Sequence, residues 1–146
     1  MKLWTLKGFV TDGGRRIVRE WCADIDDTVW LAFATLLDYL CGQPRKNWVF
    51  PYVRALRGGK KGKKKGCAGL YELRFDSGNV EYRPLGYFKS DTEFVILIFA
   101  EERGGEFDPP NACETAKKRQ VIVEGDKERA REFIIEENIN EETFTE

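Results

Sequence analysis

The chain has 146 residues, a size that suits a single compact domain with one appended element. Its 24 Lys and Arg against 25 Asp and Glu give a formal net charge of −1, so whole-chain charge predicts no binding to a polyanion. The absence of histidine excludes the usual general base near neutral pH, histidine-containing metal sites and Ser-His or Cys-His nucleophile pairs.

The cysteine spacing and the length of the apolar runs indicate the cellular compartment in which the protein works. Cys22, Cys41, Cys67 and Cys113 are too far apart for a C-x2-4-C zinc motif, and we expect neither a metal nor a cofactor. The N-terminal stretch lacks the pattern of an export signal, and the most apolar run, residues 29–41, is too short to span a bilayer. We therefore expect a cytoplasmic protein without membrane contact, whose cysteines are reduced, buried thiols.

Residue periodicity predicts a strand and two helices in the first third of the chain. Residues 3–11 are predicted to form a strand and residues 15–22 a short helix. Apolar side chains then repeat at three- and four-residue steps up to Cys41, with polar N-cap candidates at 26–28. This pattern predicts a second helix that ends before Gly42 and packs one face in a core.

Three strands are predicted next. Residues 70–75 and 80–88 flank the turn residues 76–79, which indicates an antiparallel hairpin. Residues 94–100, with the sequence FVILIFA, are almost all apolar, as expected of a strand buried on both faces.

The last third of the chain is predicted to be helical. Asn111 is a candidate cap for a helix that reaches about residue 123, and a final helix is predicted over residues 126–138. Together the elements predict an α+β fold: a small, mostly antiparallel sheet packed by two N-terminal helices and followed by C-terminal helices. We divide the chain into a core, residues 1–120, and a C-terminal helix with an acidic tail, residues 121–146.

Charge is strongly segregated along the chain. Residues 39–71 contain no acid, and the aromatic residues Trp48, Phe50 and Tyr52 lie among their nine cations. Aromatic rings that alternate with cations can stack bases while the cations neutralise phosphates, so this stretch predicts nucleic-acid contact. A solvated basic loop is the alternative interpretation. The cations are Arg45, Lys46, Arg54, Arg57, Lys60, Lys61, Lys63, Lys64 and Lys65.

The C-terminal end has the opposite charge. Residues 132–146 contain six glutamates and no base. One hypothesis is that this tail folds over the Lys60–Lys65 region and restrains activity, and the alternative is a solubilising terminus.

The hairpin carries two arginines of interest. Alternation places Glu72 and Arg74 on one face of the first strand, and the turn brings Arg74 beside Arg83 on the second. From these residues alone, we favour the interpretation that both are ordinary exposed arginines with the acidic neighbours Glu72 and Glu81.

The order of these elements, and short motifs within them, resemble the RelE/HigB-type toxins of bacterial toxin–antitoxin modules, in particular their phage-associated branch. The resemblance covers roughly residues 1–120. It rests on the segments VRALRG (53–58), GLYELR (69–74), YR (82–83), VIL (95–97) and ETAKKR (114–119).

The resemblance implies a RelE-like fold and a metal-independent mRNA endoribonuclease. Such an enzyme works on message, usually on the ribosome, and is silenced by a bound cognate antitoxin protein. In this chemistry a ribose 2′-OH attacks the adjacent phosphate and the 5′ oxygen leaves, so positioned cations must hold the phosphate and stabilise the added negative charge. Two protons must also move.

The resemblance also assigns roles to individual residues. Arg83 would stabilise the transition state, Arg74 would face the message, Arg103 would hold the phosphate, and Glu72 falls near a position where an acid can serve as base. Nucleic-acid contacts would come from Arg54, Arg57, Lys60, Lys61, Lys63, Lys64, Lys65, Lys118 and Arg119. This chain differs in carrying three acids at 101–106, beside the expected phosphate site, and they should weaken RNA binding.

Two other functions fit the same residues. The chain could be a non-catalytic module that binds RNA, DNA or a protein through its basic loop, because a fold does not decide a function. It could instead poison a DNA topoisomerase, as the related ParE-type toxins do.

Overall fold

Eight strands form a single sheet within the described part of the chain. The computed structural model describes residues 2–57 and 66–135. The strands are β1 (Thr5–Phe9), β2 (Val53–Ala55), β3 (Tyr71–Leu73), β4 (Phe75–Ser77), β5 (Val80–Phe88), β6 (Glu93–Arg103), β7 (Glu106–Asp108) and β8 (Ala130–Glu132). The helices are α1 (Ile17–Asp24), α2 (Asp27–Cys41) and α3 (Ala112–Gly125).

The sheet is mixed but mostly antiparallel. Its order is β2-β3-β5-β6-β1-β8, with β4 also paired to β5 and β7 to β6. β1 pairs with β6 in parallel, whereas the other described pairings are antiparallel. This confirms the predicted α+β fold with a mostly antiparallel sheet. The sheet is larger than expected, because its three-residue strands are too short for an alternating pattern to reveal them.

The helices cover both faces of the sheet. The predicted N-terminal helices are confirmed as α1 and α2, and the Asp26 side chain caps α2 by accepting a hydrogen bond from the Val29 backbone N–H at 3.0 Å. Both pack on the face that contains Phe94 and Ile96. α3 packs on the opposite face, which contains Val95 and Leu97. None of the described helices combines the length and the apolar character needed to cross a membrane.

The strand predicted to be buried on both faces is confirmed as β6. Phe94, Val95, Ile96 and Leu97 follow one another in sequence, and each has 0% of its surface exposed. Successive side chains point to opposite faces, so this burial requires a layer on each side of the sheet.

The prediction of a helix over residues 126–138 is wrong where the structure describes it. Lys127–Arg129 form a short 3-10 turn, and β8 then runs antiparallel to β1. The exposed edge of β1 explains the difference, because β8 supplies hydrogen bonds that this edge would otherwise lack. Residues 136–138 lie outside the described residues. The sequence division at residue 120 falls inside α3, and residues 121–135 complete α3 and add β8 to the sheet.

Only two of the four cysteines are the buried thiols that we expected. Cys67 and Cys113 form a disulfide, with their Cα atoms 5.1 Å apart, that ties the segment before β3 to the start of α3. Cys22 and Cys41 are free and buried. Burial raises the pKa of Cys22 to about 12 and that of Cys41 to about 11, so both stay protonated and unreactive near neutral pH.

Gly86 lies where β5 and β6 shift register, and a methyl group there should destabilise the fold. A Cβ at this position would lie 2.2 Å from the Val95 carbonyl oxygen and 2.7 Å from the Phe94 ring. We expect Gly86→Ala to lower the free energy of unfolding by about 1–3 kcal/mol in urea denaturation, because a packed core must shift to admit the methyl group. Gly13→Ala, which meets no atom within 4 Å, is the control. Equal unfolding midpoints for the two variants would contradict this account of the sheet.

Candidate nucleic-acid interface

A groove of about 810 Å³ lies at the β2 edge of the sheet. Its walls come from the segment after α2, from β2 and from the facing ends of β3 and β5. We call it the basic groove, because its described lining contains cations and aromatic rings but no carboxylate. The cations are Arg45, Lys46, Arg54 and Arg57, and the rings are those of Trp48, Phe50, Tyr71 and Phe88.

Buried tryptophans fix the floor of the basic groove. The indole N–H of Trp48 donates to the Leu40 carbonyl at 3.0 Å, which anchors the segment after α2 to the end of that helix. The Trp48 ring packs against Trp4 and Phe88 with centroid distances of 4.7 and 5.3 Å. Since β1, the post-α2 segment and β5 meet in this cluster, the groove has a rigid base.

Guanidinium groups lie over aromatic rings along the groove. The Arg45 guanidinium carbon is 4.2 Å from the centroid of Phe88, and that of Arg54 is 5.2 Å from the centroid of Phe50. The Phe50 side chain itself is strongly exposed, at 60%. Such pairs offer a cation for a phosphate and a π-face for a base at the same place.

The hairpin arginines, Arg74 and Arg83, lie among carboxylates, unlike the cations of the basic groove. Glu72 pairs with Leu85 and Phe75 pairs with Tyr82. Arg74 therefore lies opposite Arg83 on the neighbouring strand, as the sequence predicted. Arg74 donates to the carboxylate of Glu72, which has no exposed surface. The same Arg74 guanidinium is 5.1 Å from the Phe50 centroid, so the cluster touches the groove wall.

Arg83 is buried among carboxylates of its own chain. Only 2% of the residue is exposed, although an exposed arginine was one of the two interpretations of the sequence. Its nitrogen atoms lie 3.0 Å from Glu102, 3.1 Å from Asp76, 3.7 Å from Glu81 and 3.9 Å from Glu72. Arg83 therefore joins β3, β4, β5 and β6, and its charge is already compensated.

The other candidate cations are spread over the molecule. Arg103 contacts Glu101 at 2.9 Å and Asp108 at 3.6 Å. The hydrogen bond to Glu101, and then the charges of Glu101 and Asp108, raise the pKa of Arg103. The structure thus brings Arg74, Arg83 and Glu72 together, but it pairs Arg103 with acids outside that cluster.

The candidates on α3, Lys118 and Arg119, do not line the groove. Lys118 is exposed and lies 3.8 Å from Glu114 on the same helix. Arg119 donates to the Leu97 carbonyl at 2.8 Å and lies over the Phe9 ring, where burial lowers its pKa. Lys60, Lys61, Lys63, Lys64 and Lys65 lie outside the described residues.

The sequence located this interface only in part. Arg54 and Arg57 were selected and do line the groove, whereas Arg45, Lys46, Trp48 and Phe50 belonged to the basic-aromatic stretch but received no role. Tyr71 and Phe88 carried no signal, because they reach the groove through strand pairing. Among the described residues, no group of three or more His, Cys, Asp or Glu is placed to hold a metal ion.

Comparisons of the chain with protein-family models, with curated proteins and with solved structures find no match. Its chemistry must therefore be argued from its own residues.

Replacing Arg83 should destabilise the protein far more than replacing Arg103. We expect Arg83→Met to lower the free energy of unfolding by about 3–5 kcal/mol, because it removes the buried cation that the carboxylates of Glu72 and Glu102 face. Arg103→Met should shift the urea midpoint little, since Arg103 is an exposed partner of exposed acids. Equal urea-unfolding midpoints for the two variants would show that Arg83 does not stabilise the packing of the strands around it.

Proposed function

We propose that this protein binds RNA in the basic groove and acts as a toxin of the RelE/HigB-like class, a metal-independent endoribonuclease directed at message. One observation carries the binding part: four cations and four aromatic rings line one groove that contains no described carboxylate. The proposal includes a cognate antitoxin as partner, ribosome-bound message as substrate and the cytoplasm as the working compartment.

Electrostatics favours RNA over a neutral ligand. Four cations on a groove lining without a described carboxylate attract a polyanion even though the whole chain has a net charge of −1, and the contact of Arg45 with the exposed Asp91 is a long one, 3.9 Å. Each phosphate neutralised on a single strand contributes about −0.7 to the slope of log affinity against log salt, so four contacts correspond to about −3.

Two features support the catalytic part. The described elements follow the order on which the resemblance rests: a strand, two helices, a hairpin, an apolar strand and a helix. Arg74 touches the groove wall at Phe50 and lies opposite Arg83 across the hairpin, so a strand bound in the groove would pass close to Arg74. Glu72, whose carboxylate Arg74 binds, is the candidate base that the resemblance names.

A specific observation favours a second candidate, a non-catalytic RNA-binding protein on the same fold. Arg83 has four carboxylates around it, and a guanidinium compensated in this way stabilises little extra charge on a phosphate. Under this second candidate the groove still binds RNA, but no phosphate is cleaved.

Groove variants test the binding. We expect Arg54→Gln and Arg57→Gln each to weaken binding of a single-stranded RNA and to reduce the magnitude of the salt slope by about 0.7, because each removes one phosphate contact. Fluorescence anisotropy at a series of salt concentrations measures both. Lys127→Gln, an equal loss of charge at an exposed site on the turn before β8, is the matched control. Slopes that do not change in the groove variants would exclude the groove as the binding site.

Message cleavage tests the catalysis. Induced expression of the wild type in bacteria should arrest growth and create new 5′ ends on a reporter message, whereas Arg83→Lys should do neither. Lysine keeps a positive charge among the four carboxylates, so the fold is retained, but it cannot reproduce the planar fork of arginine. Intact message in both strains, with RNA binding retained, would favour the non-catalytic candidate.

A further inference from the structure

The large apolar side chains exposed on this protein are concentrated in one region. Eight such residues occur in the described ranges 2–57 and 66–135, and five of them line either the basic groove or an adjoining depression. Clustered exposed apolar side chains are typical of interaction sites. The five are Leu31, Tyr39, Val49, Phe50 and Tyr52.

The adjoining depression is a trough of about 650 Å³ beside α2. Tyr39 on α2 and Tyr52 before β2 form its aromatic wall, with their ring centroids 4.8 Å apart and 41% of each residue exposed. Leu31, about two helical turns before Tyr39 on α2, is 57% exposed on the same lining. A ring pair left open in this way is a platform for another flat ring.

The trough and the basic groove meet at Phe50. The Phe50 ring contacts the guanidinium of Arg54, which lines the groove, and that of Arg74, which lines the trough. Tyr52 is two residues further along the same segment. A chain that leaves the groove over Phe50 therefore arrives at the Tyr39–Tyr52 pair.

We propose that the trough is a second subsite for single-stranded RNA, in which unpaired bases stack on Tyr39 and Tyr52 after the strand leaves the basic groove. This inference rests on the proposed function, because it extends the path of the RNA that the groove binds. A duplex keeps its bases stacked inside, so only an unpaired strand can present base faces to these rings.

The charges of the trough distinguish its contribution from that of the groove. The carboxylate of Asp76 is bound by Arg83 at 3.1 Å, and Arg74 is bound to Glu72, so neither lining charge stands alone. The trough therefore depends on stacking, whereas the groove depends on charge. Loss of the tyrosine rings should weaken binding by the same factor at every salt concentration and leave the salt slope unchanged.

Oligonucleotide length provides the test. Oligoadenylates of about four and about twelve nucleotides, which span the common range of single-strand site sizes, serve as probes in anisotropy titrations. We expect Tyr39→Ala and Tyr52→Ala each to weaken binding of the longer probe by roughly five- to a hundredfold, the effect of losing one base–aromatic stack. The shorter probe, which the groove can hold alone, should bind as it does to the wild type.

Two controls keep the test independent of folding. Tyr39→Phe and Tyr52→Phe retain the rings and should bind the longer probe as the wild type does. Val121→Ala removes an exposed apolar side chain from α3, remote in sequence from the trough, and should change neither affinity nor thermal unfolding.

The results of this experiment distinguish the groove proposal from the trough proposal. If the longer probe binds both alanine variants as tightly as the wild type, the trough is not an RNA subsite and fits a protein partner instead, while the groove proposal stands. If neither probe binds the wild type, the groove and the trough proposals both fail.

Discussion

The parallel pairing of β1 with β6 determines the arrangement of the rest of the sheet. It places β6 between β1 and β5, so the most apolar segment of the chain lies in the middle and needs cover on both faces. α1 and α2 cover one face and α3 the other. β8 closes the remaining edge of β1, and the basic groove forms at the opposite end of the sheet, beside the edge strand β2.

Arginines occur on this protein in two electrostatic environments that lie next to each other. Arg54 and Arg57 line a groove without described carboxylates, whereas Arg83 is enclosed by four. The first arrangement leaves charge available for a phosphate, and the second uses charge to hold strands together. Arg74 connects them, since it binds Glu72 on one side and lies over Phe50 on the other. The proposed RNA binding rests on the groove, whereas the proposed catalysis would require the Arg83 cluster to rearrange.

Local sequence pattern was enough to predict the long helices and strands, but it did not predict which side chains form the candidate site. The Asp26 cap of α2, the hairpin and the doubly buried β6 all follow from neighbouring residues, because capping, turns and periodicity are local properties. β8 was mistaken for a helix because its conformation depends on the edge of β1, more than a hundred residues away.

The site itself depends on contacts between distant segments. The burial of Arg83 requires Glu72 and Glu102 from two other strands, and Phe88 enters the groove only through the packing of β5 on the Trp4–Trp48 pair. The Cys67–Cys113 disulfide links cysteines 46 residues apart, a spacing that carried no signal. Composition did locate the candidate interface in the sequence, because the acid-free, aromatic stretch around Arg54 is where the groove forms.

We propose that RNA lies in the basic groove at the β2 edge. Photo-crosslinking of a single-stranded RNA that carries 4-thiouridine, followed by mass spectrometry of the tryptic peptides, maps the contact directly on the unmodified protein. The account predicts adducts on Phe50, Tyr71 or Phe88, in the groove lining. Adducts confined to α3, or no crosslink at RNA concentrations that give binding, would contradict it.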